Sequence, residues 1–232
     1  MKDLFGQALL DYHNNNYTED LKTSTNISEE DDLPLPYLFR SFNAMPKLEQ
    51  KALKMCKGKI LDVGCGAGNH SLHLQKYFND IDAIDISEGA VKVAKLRGVN
   101  SVELKSLLEV NNTYDTILLL MNGTGIFQTL EAVPKYLNHL KNLLNPGGQI
   151  LIDSSDIRYM YEDEDGGVWI DTNADYYGQL DYFLSYKGES ETPMHWLYLD
   201  YKNLDLFCAK SNLKCELVVE GDHFDYLAKI TL

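Results

Sequence analysis

The stretch Ile60-Leu61-Asp62-Val63-Gly64-Cys65-Gly66-Ala67-Gly68-Asn69 decides the reading of this chain. Apolar residues around one acid run into glycines two apart, the pattern of a buried strand entering a tight loop. Glycines there admit positive φ and let a ligand approach where a Cβ would clash. The next segment, Asn69 to Tyr77, predicts a helix. Strand, glycine loop and helix N-terminus make the first βα unit of a nucleotide-binding sheet. Asp85 follows seventeen residues past Gly68, at the end of a second apolar run, Ile81-Asp82-Ala83-Ile84-Asp85-Ile86. An acid there accepts hydrogen bonds from ribose hydroxyls.

Glycine spacing separates two ligand classes. The dinucleotide fingerprint is G-x-G-x-x-G, with a pyrophosphate at the helix N-terminus. Here the pattern is G-x-G-x-G, and Asn69 stands where the third dinucleotide glycine would be. The run Leu61 to Gly68 resembles motif I of the class I S-adenosylmethionine (SAM) methyltransferases. The resemblance implies SAM as cofactor, with Gly64, Cys65, Gly66 and Gly68 against its methionyl part. Asp85 then matches the ribose acid, with Ile86 beside it. Asp62 matches the motif I acid, which acts indirectly or orders the loop. The family often has an Asp at the end of strand 3 for adenine. This chain has Lys105-Ser106-Leu107-Leu108 instead, so the resemblance assigns adenine to backbone at Ser106 or Leu107.

At 232 residues the chain fits one α/β domain with an elaboration. A hydrophobic content of 44% suffices for a core, and no apolar run approaches the roughly 20 residues of a membrane span. The N-terminus lacks a signal-peptide pattern, so the expected location is cytoplasmic. Cys56, Cys65, Cys208 and Cys215 show no C-x-x-C spacing and read as reduced thiols. A formal charge of −14 without a Lys/Arg cluster argues against nucleic acid and anionic membranes as partners.

Around the glycine loop the patterning predicts a doubly wound, mostly parallel seven-stranded sheet. Strands are expected near 59–63, 81–86, 101–104, 113–121 and 149–153, with a final antiparallel hairpin at 213–220 and 225–232. Ser87 caps a helix carrying Val91 and Ala94. Leu130, Val133, Leu137, Leu140 and Leu144 form one helix face, stopped by Asn145-Pro146-Gly147-Gly148. Another helix starts near Pro46. The expected organisation is an N-terminal lid segment (1–45), a SAM-binding core (46–156), a small β-rich insertion (157–200) and a C-terminal helix and hairpin (201–232). In the first piece, Leu4, Ala8, Leu9 and Tyr12 predict a helix. The run Glu29 to Asp32 reads as loop, and Leu33-Pro34-Leu35-Pro36 as extended.

Ligands of such sheets bind at the carboxyl ends of the strands. Met121 and Asn122 fall there, and so do Asp153 and Asp156. Met121 and Asn122 are candidates for the cofactor; Asn122, Asp153 and Asp156 are candidates for catalysis, the acids as general base. Asn122-Gly123-Thr124-Gly125 is not the Asn-Pro-Pro-Tyr signature of amide and adenine-amine methyltransferases. His70 and His73 share a helix face without a third ligand, so no metal is expected. Tyr37 and Arg40 precede the core, where many methyltransferases carry a lid; Arg40 either meets the SAM carboxylate or makes a surface ion pair. Tyr161, Trp169 and Asp153 complete the acceptor-side candidates. The expected activity is methyl transfer to a small molecule, against the alternative of a non-catalytic SAM-binding partner subunit. Removing residues 1–40 is expected to abolish turnover and leave a folded core.

Overall fold

A computed structural model describes residues 2–163, 165, 167 and 176–232. Helix α1 (Leu4–His13) leads into a hairpin, β1 (Leu21–Thr25) and β2 (Ser28–Leu33). The acidic run Glu29 to Asp32 is therefore strand, not loop. It lies on the outer edge of its sheet, where charge hinders further strand addition. Pro34 is extended, but Leu35–Phe39 forms a 3-10 turn rather than continuing so. Pro36 sits in the first turn, where a missing N–H costs nothing.

Helix α2 (Lys47–Met55) brings the chain to β3 (Ile60–Val63), α3 (Asn69–Leu74), β4 (Ile81–Asp85), α4 (Glu88–Arg97) and β5 (Val102–Leu104). The chain then crosses back to β6 (Tyr114–Leu119), α5 (Val133–Asn142) and β7 (Leu144–Ser155). Leu144, expected on the helix face, instead opens β7. Next come β8 (Gln179–Tyr186), β9 (Glu189–Ser190), β10 (Met194–Leu197), α6 (Tyr201–Lys210) and the hairpin β11 (Lys214–Glu220) and β12 (Asp225–Thr231).

The main sheet has the order β11-β12-β7-β6-β3-β4-β5. It is parallel except at β12, which runs antiparallel to β7 and β11. This is the expected Rossmann-like, seven-stranded fold. Strand order reverses between β3 and β6, which opens the ligand crevice at their carboxyl ends. Apolar side chains fill both faces. Leu61, Ile117, Leu119 and Ile150 pack against Leu137, Leu140 and Leu204, while Ile60, Leu118 and Leu151 meet Leu48, Ala52 and Leu53. Burial on both sides explains the continuous apolar runs.

A second sheet, β10-β8-β1-β2 with β9 beside β8, joins the two elaborations. β1 and β8 pair antiparallel, with Thr23 opposite Leu184. A separate apolar cluster fixes this unit over the crevice: Leu4, Leu9, Leu21, Leu35, Leu184 and Tyr186 pack with Ala67 of the glycine loop and with Ala90 and Val93 of α4. Asp3 latches it, accepting from Gly6 N at 2.9 Å, Ser87 Oγ at 3.0 Å and Gly89 N at 2.8 Å.

α1 and α4 cross at glycine on glycine. A Cβ on Gly89 would lie 2.4 Å from the Gly6 carbonyl carbon. Backbone cannot yield as a side-chain tip can. Gly89→Ala should therefore cost about 1–3 kcal/mol and lower Tm by about 3–10 °C. Calorimetric unfolding checks this; an unchanged Tm would show that the crossing is not tight. Among the described residues no helix is long and apolar enough to cross a membrane, and all four cysteines are free thiols.

Candidate active site

The glycine loop between β3 and α3 holds Gly64, Gly66 and Gly68 at φ +70°, +53° and +83°. Only glycine takes such angles without strain. The three differ in what surrounds them. A Cβ on Gly68 would come within 2.6 Å of Val99 Cγ2, so that glycine serves packing. On Gly64 and Gly66 the nearest atoms would be Ile126 Cδ1 at 3.5 Å and Phe5 Cζ at 3.9 Å. Those two glycines line an accessible cradle beside α1. Cys65, between them, is buried, and burial raises its thiol pKa.

Asp85 ends β4 beside this loop. Its Oδ2 accepts from Gly66 N and its Oδ1 from Ser87 N, each at 2.8 Å. Burial pushes its carboxyl up, and the N–H groups of Ser87 and Gly66 pull the other way. Each oxygen keeps a lone pair for a further donor. Ile86 follows with 78% of its surface exposed, an apolar plate at the sheet edge. Ser106 gives its N–H to Glu109 Oε2 at 2.8 Å, closing a capped turn over the buried Leu107.

A buried ionic chain runs from Arg40 through Glu49 of α2 to His70 of α3 and Asp62 of β3. Arg40 pairs with Glu49 Oε1 through Nη2, donates to the Tyr37 carbonyl at 2.6 Å, and lies 3.8 Å over the Tyr37 ring. Glu49 Oε2 meets His70 Nε2 at 2.9 Å, and His70 Nδ1 faces Asp62 Oδ1 at 3.9 Å. Asp62 accepts from Ser71 Oγ at 2.6 Å, tying β3 to α3. Burial alone would depress the His70 pKa; Asp62 and Glu49 overrule it and hold it at about 9. Burial alone would raise Glu49; His70 and Arg40 hold it below the usual carboxylate range. Arg40 is only 8% exposed, yet its Nε has no hydrogen-bond partner. A buried donor left so costs on the order of 1–3 kcal/mol, and an acceptor arriving from the crevice would recover it. Sequence reasoning missed Glu49. A Glu at the third position of a Pro-led helix reads as a partner for the helix dipole.

On the other side of the crevice, Met121 and Asn122 leave β6 with φ +67° and +61°. Asp153, at the end of β7, accepts from Met121 N at 3.0 Å and Gly123 N at 2.9 Å. Ser154 donates to Asn122 Oδ1 at 2.9 Å and accepts from Leu199 N at 2.9 Å. Burial pushes the Asp153 carboxyl up to about 7 against the pull of those two N–H groups. Asp156 caps the turn Ile157–Tyr161 and accepts from Tyr177 OH at 2.8 Å. Tyr161 donates to the Tyr177 carbonyl at 2.7 Å. Tyr159 stacks on Phe224, which is 63% exposed, at 5.0 Å. Burial raises the Tyr37 phenol, Arg40 lowers it, and Glu49, Asp153 and Asp225 add to the rise. The crevice thus gathers Gly64, Gly66, Asp85, Arg40, Met121 and Asp153. Ser106 and Asp156 are engaged in local turns, and Trp169 lies outside the described residues. No group of three or more His, Cys, Asp or Glu among the described residues is placed to hold a metal ion.

Residues 60–148 match a methyltransferase domain family. A SAM-dependent methyltransferase from Bacteroides fragilis, solved in complex with S-adenosyl-L-homocysteine, is 43% identical. The alignment covers 100% of this chain and 95% of that one, with a TM-score of 0.93. A ubiquinone biosynthesis O-methyltransferase from Xanthomonas oryzae pv. oryzae is 30% identical over 112 residues, 44% of this chain and 45% of that protein. A tRNA/tmRNA (uracil-C(5))-methyltransferase from Nitratiruptor is 26% identical over 124 residues, 52% of this chain and 33% of that protein. The chain therefore spans between a third and a half of the length of these two sequence relatives.

Proposed function

The chain belongs to the SAM-dependent methyltransferase family, and from that premise we propose that it transfers a methyl group from SAM to a small-molecule acceptor. One observation carries the reading: an open left-handed cradle at Gly64 and Gly66 stands beside Asp85, and Arg40, linked to the helix after the loop through Glu49 and His70, keeps a buried Nε without an acceptor. These residues fit SAM, which has a ribose, a carboxylate and no phosphate. When bound, SAM supplies the activated methyl group. Asp85 takes the ribose hydroxyls and Ile86 covers the adenine, with Ser106 and Leu107 at its rim. Gly64, Cys65 and Gly66 admit the methionyl chain, Asp62 steadies the loop, and Arg40 meets the carboxylate over Tyr37. Position and exclusion of water are the protein's contribution.

The acceptor side supports a small, uncharged or cationic molecule. The stacked rings of Tyr159 and Phe224 offer an aromatic face, and the bond from Asp156 N to the Phe224 carbonyl brings the acids Asp156 and Asp225 beside it in the chain. A net charge of −14 repels a phosphate backbone. Four free thiols suit a reducing compartment, so we place the enzyme in the cytoplasm. Residues 1–45 and 157–200 act together as the lid of a core formed by 46–156 and 201–232.

Calorimetry with SAM, S-adenosylhomocysteine and NAD tests the cofactor. The first two should bind and NAD should not. Asp85→Ala should weaken SAM binding by about 10- to 100-fold, the scale of a lost charged hydrogen-bond pair. Binding of NAD without SAM would overturn the reading. Incubation with a metabolite extract should release S-adenosylhomocysteine. SAM binding with no turnover in any extract would favour a non-catalytic subunit.

A further inference from the structure

We infer that Asp153 is a positioning residue: it clamps the Met121–Gly123 turn in the left-handed geometry that sets Asn122 against the acceptor. The inference rests on the methyltransferase reading and deepens it, since it assigns the carboxylate at the end of β7 to the turn and not to a proton transfer. Met121 and Asn122 are the only two successive non-glycine residues with positive φ among the described residues. A bulky side chain at such an angle costs energy, and a turn like this persists only where its surroundings hold it. Both Asp153 oxygens do so, through Met121 N at 3.0 Å and Gly123 N at 2.9 Å. The side chain of Asn122 is held separately by Ser154 Oγ at 2.9 Å and by the Leu197 carbonyl at 3.4 Å. Leu197 ends β10, so the same contacts seat the lid sheet on the turn. A Cβ on Gly123 would lie 2.6 Å from Leu119 Cβ, which leaves the turn no room to relax toward β6.

Two N–H donors converging on one group require a carboxylate. A carboxamide offers one acceptor oxygen and turns an NH2 toward the other donor. The same holds in part for the protonated acid, which keeps one good acceptor. Asp153 is held near pH 7 by burial, against its two N–H partners, with Glu49 raising it and His70 lowering it. Asp153 in turn adds to the rise of the Tyr37 phenol. Turnover should therefore decline as the pH falls below about 7.

The test uses the full chain and three variants: Asp153→Asn, Met121→Gly and the double variant. S-adenosylhomocysteine binding, turnover with the acceptor found in the extract assay, and amide exchange at Met121 and Gly123 are measured for each. Asp153→Asn should lower kcat by about 100-fold while S-adenosylhomocysteine affinity changes by about threefold or less, as expected for misplacement at the reacting centre. It should also lose the acid limb of the pH profile and the protection of both amides. Glycine takes positive φ freely, so adding Met121→Gly should restore roughly tenfold of the lost rate relative to the additive expectation. A carboxylate acting as general base would give no such rescue.

Unchanged kcat in Asp153→Asn, or losses that simply add in the double variant, would overturn the inference. Absence of cofactor binding and turnover in the wild type would instead defeat the functional reading. Amide exchange then still decides the clamp, because unchanged protection in Asp153→Asn rules it out. Should Asp153→Asn fail to fold, the wild type serves: protection at Met121 and Gly123 must fall as the pH drops through the Asp153 midpoint read by NMR of its carboxyl carbon, and flat protection across that midpoint is the contrary result.

Discussion

Glu49→Ala is expected to destabilise the protein by on the order of 3–5 kcal/mol, the scale for breaking a buried ion pair. Glu49 is the shared acceptor of Arg40 and His70, and all three side chains are buried. Its removal leaves a guanidinium with only the Tyr37 carbonyl and ring, and an imidazole with Asp62 at 3.9 Å. Neither is open to water in the folded chain, where both side chains are buried. Urea unfolding at pH 7 checks the value through the midpoint at constant m. A change below about 1 kcal/mol would place the pair in the exposed class. The wild type carries a pH signature of the same network. His70 titrates at about 9 when folded against 6.5 when free. Its stabilising share is complete below pH 6.5 and disappears as the pH rises through about 9. Glu49 behaves oppositely: its share is present above pH 4.5 and is lost as the pH falls below its depressed folded value. In Glu49→Ala the alkaline decline should be shallower, because one of the two carboxylates that raise His70 is gone.

The main sheet could be read in advance because its information is local. Each strand is a short apolar run, and the glycine loop carries its own backbone signature at Gly64, Gly66 and Gly68. The second sheet could not. β1 meets β8 across most of the chain, and nothing in Leu21-Lys22-Thr23-Ser24-Thr25 names Leu184 as a partner. The acids of β2 hid a strand, because at a sheet edge charge is compatible with strand geometry. Site residues divide in the same way. Asp85 followed from motif spacing. Arg40 was visible only as a cation near the lid, and its ion-pair reading depended on Glu49, which lies nine positions away on another element. Asp153 was legible only as an acid at the carboxyl edge of the sheet. Its partners are backbone N–H groups, which no side-chain pattern announces. Asp3 was hidden because a helix cap is its ordinary role, and its reach to Ser87 and Gly89 exists only after folding.

Deletion of residues 1–40 is expected to yield no folded monomer, contrary to what the sequence alone suggests. The segment contributes β1 and β2 to the second sheet, and its loss strips the paired edge of β8 from Tyr182 to Ser185. Bare edge strands with apolar neighbours aggregate. Leu184, Tyr186, Ala67, Ala90 and Val93 would lose Leu4, Ala8, Leu9, Leu21 and Leu35 as cover. The deletion also removes Arg40 and leaves Glu49 buried with His70 alone. Light scattering and circular dichroism would decide; a monomeric, cooperatively unfolding core that binds S-adenosylhomocysteine would show that the lid is a separable module. Asp3→Ala offers the milder contrast. It removes three hydrogen bonds at the α1–α4 contact and leaves both sheets intact, for a cost of about 1–3 kcal/mol. Opening of the crevice is expected to part α1 from α4 while β1 stays paired to β8. Amide exchange would separate the two motions: amides held by Asp3 should exchange well before those shared by β1 and β8.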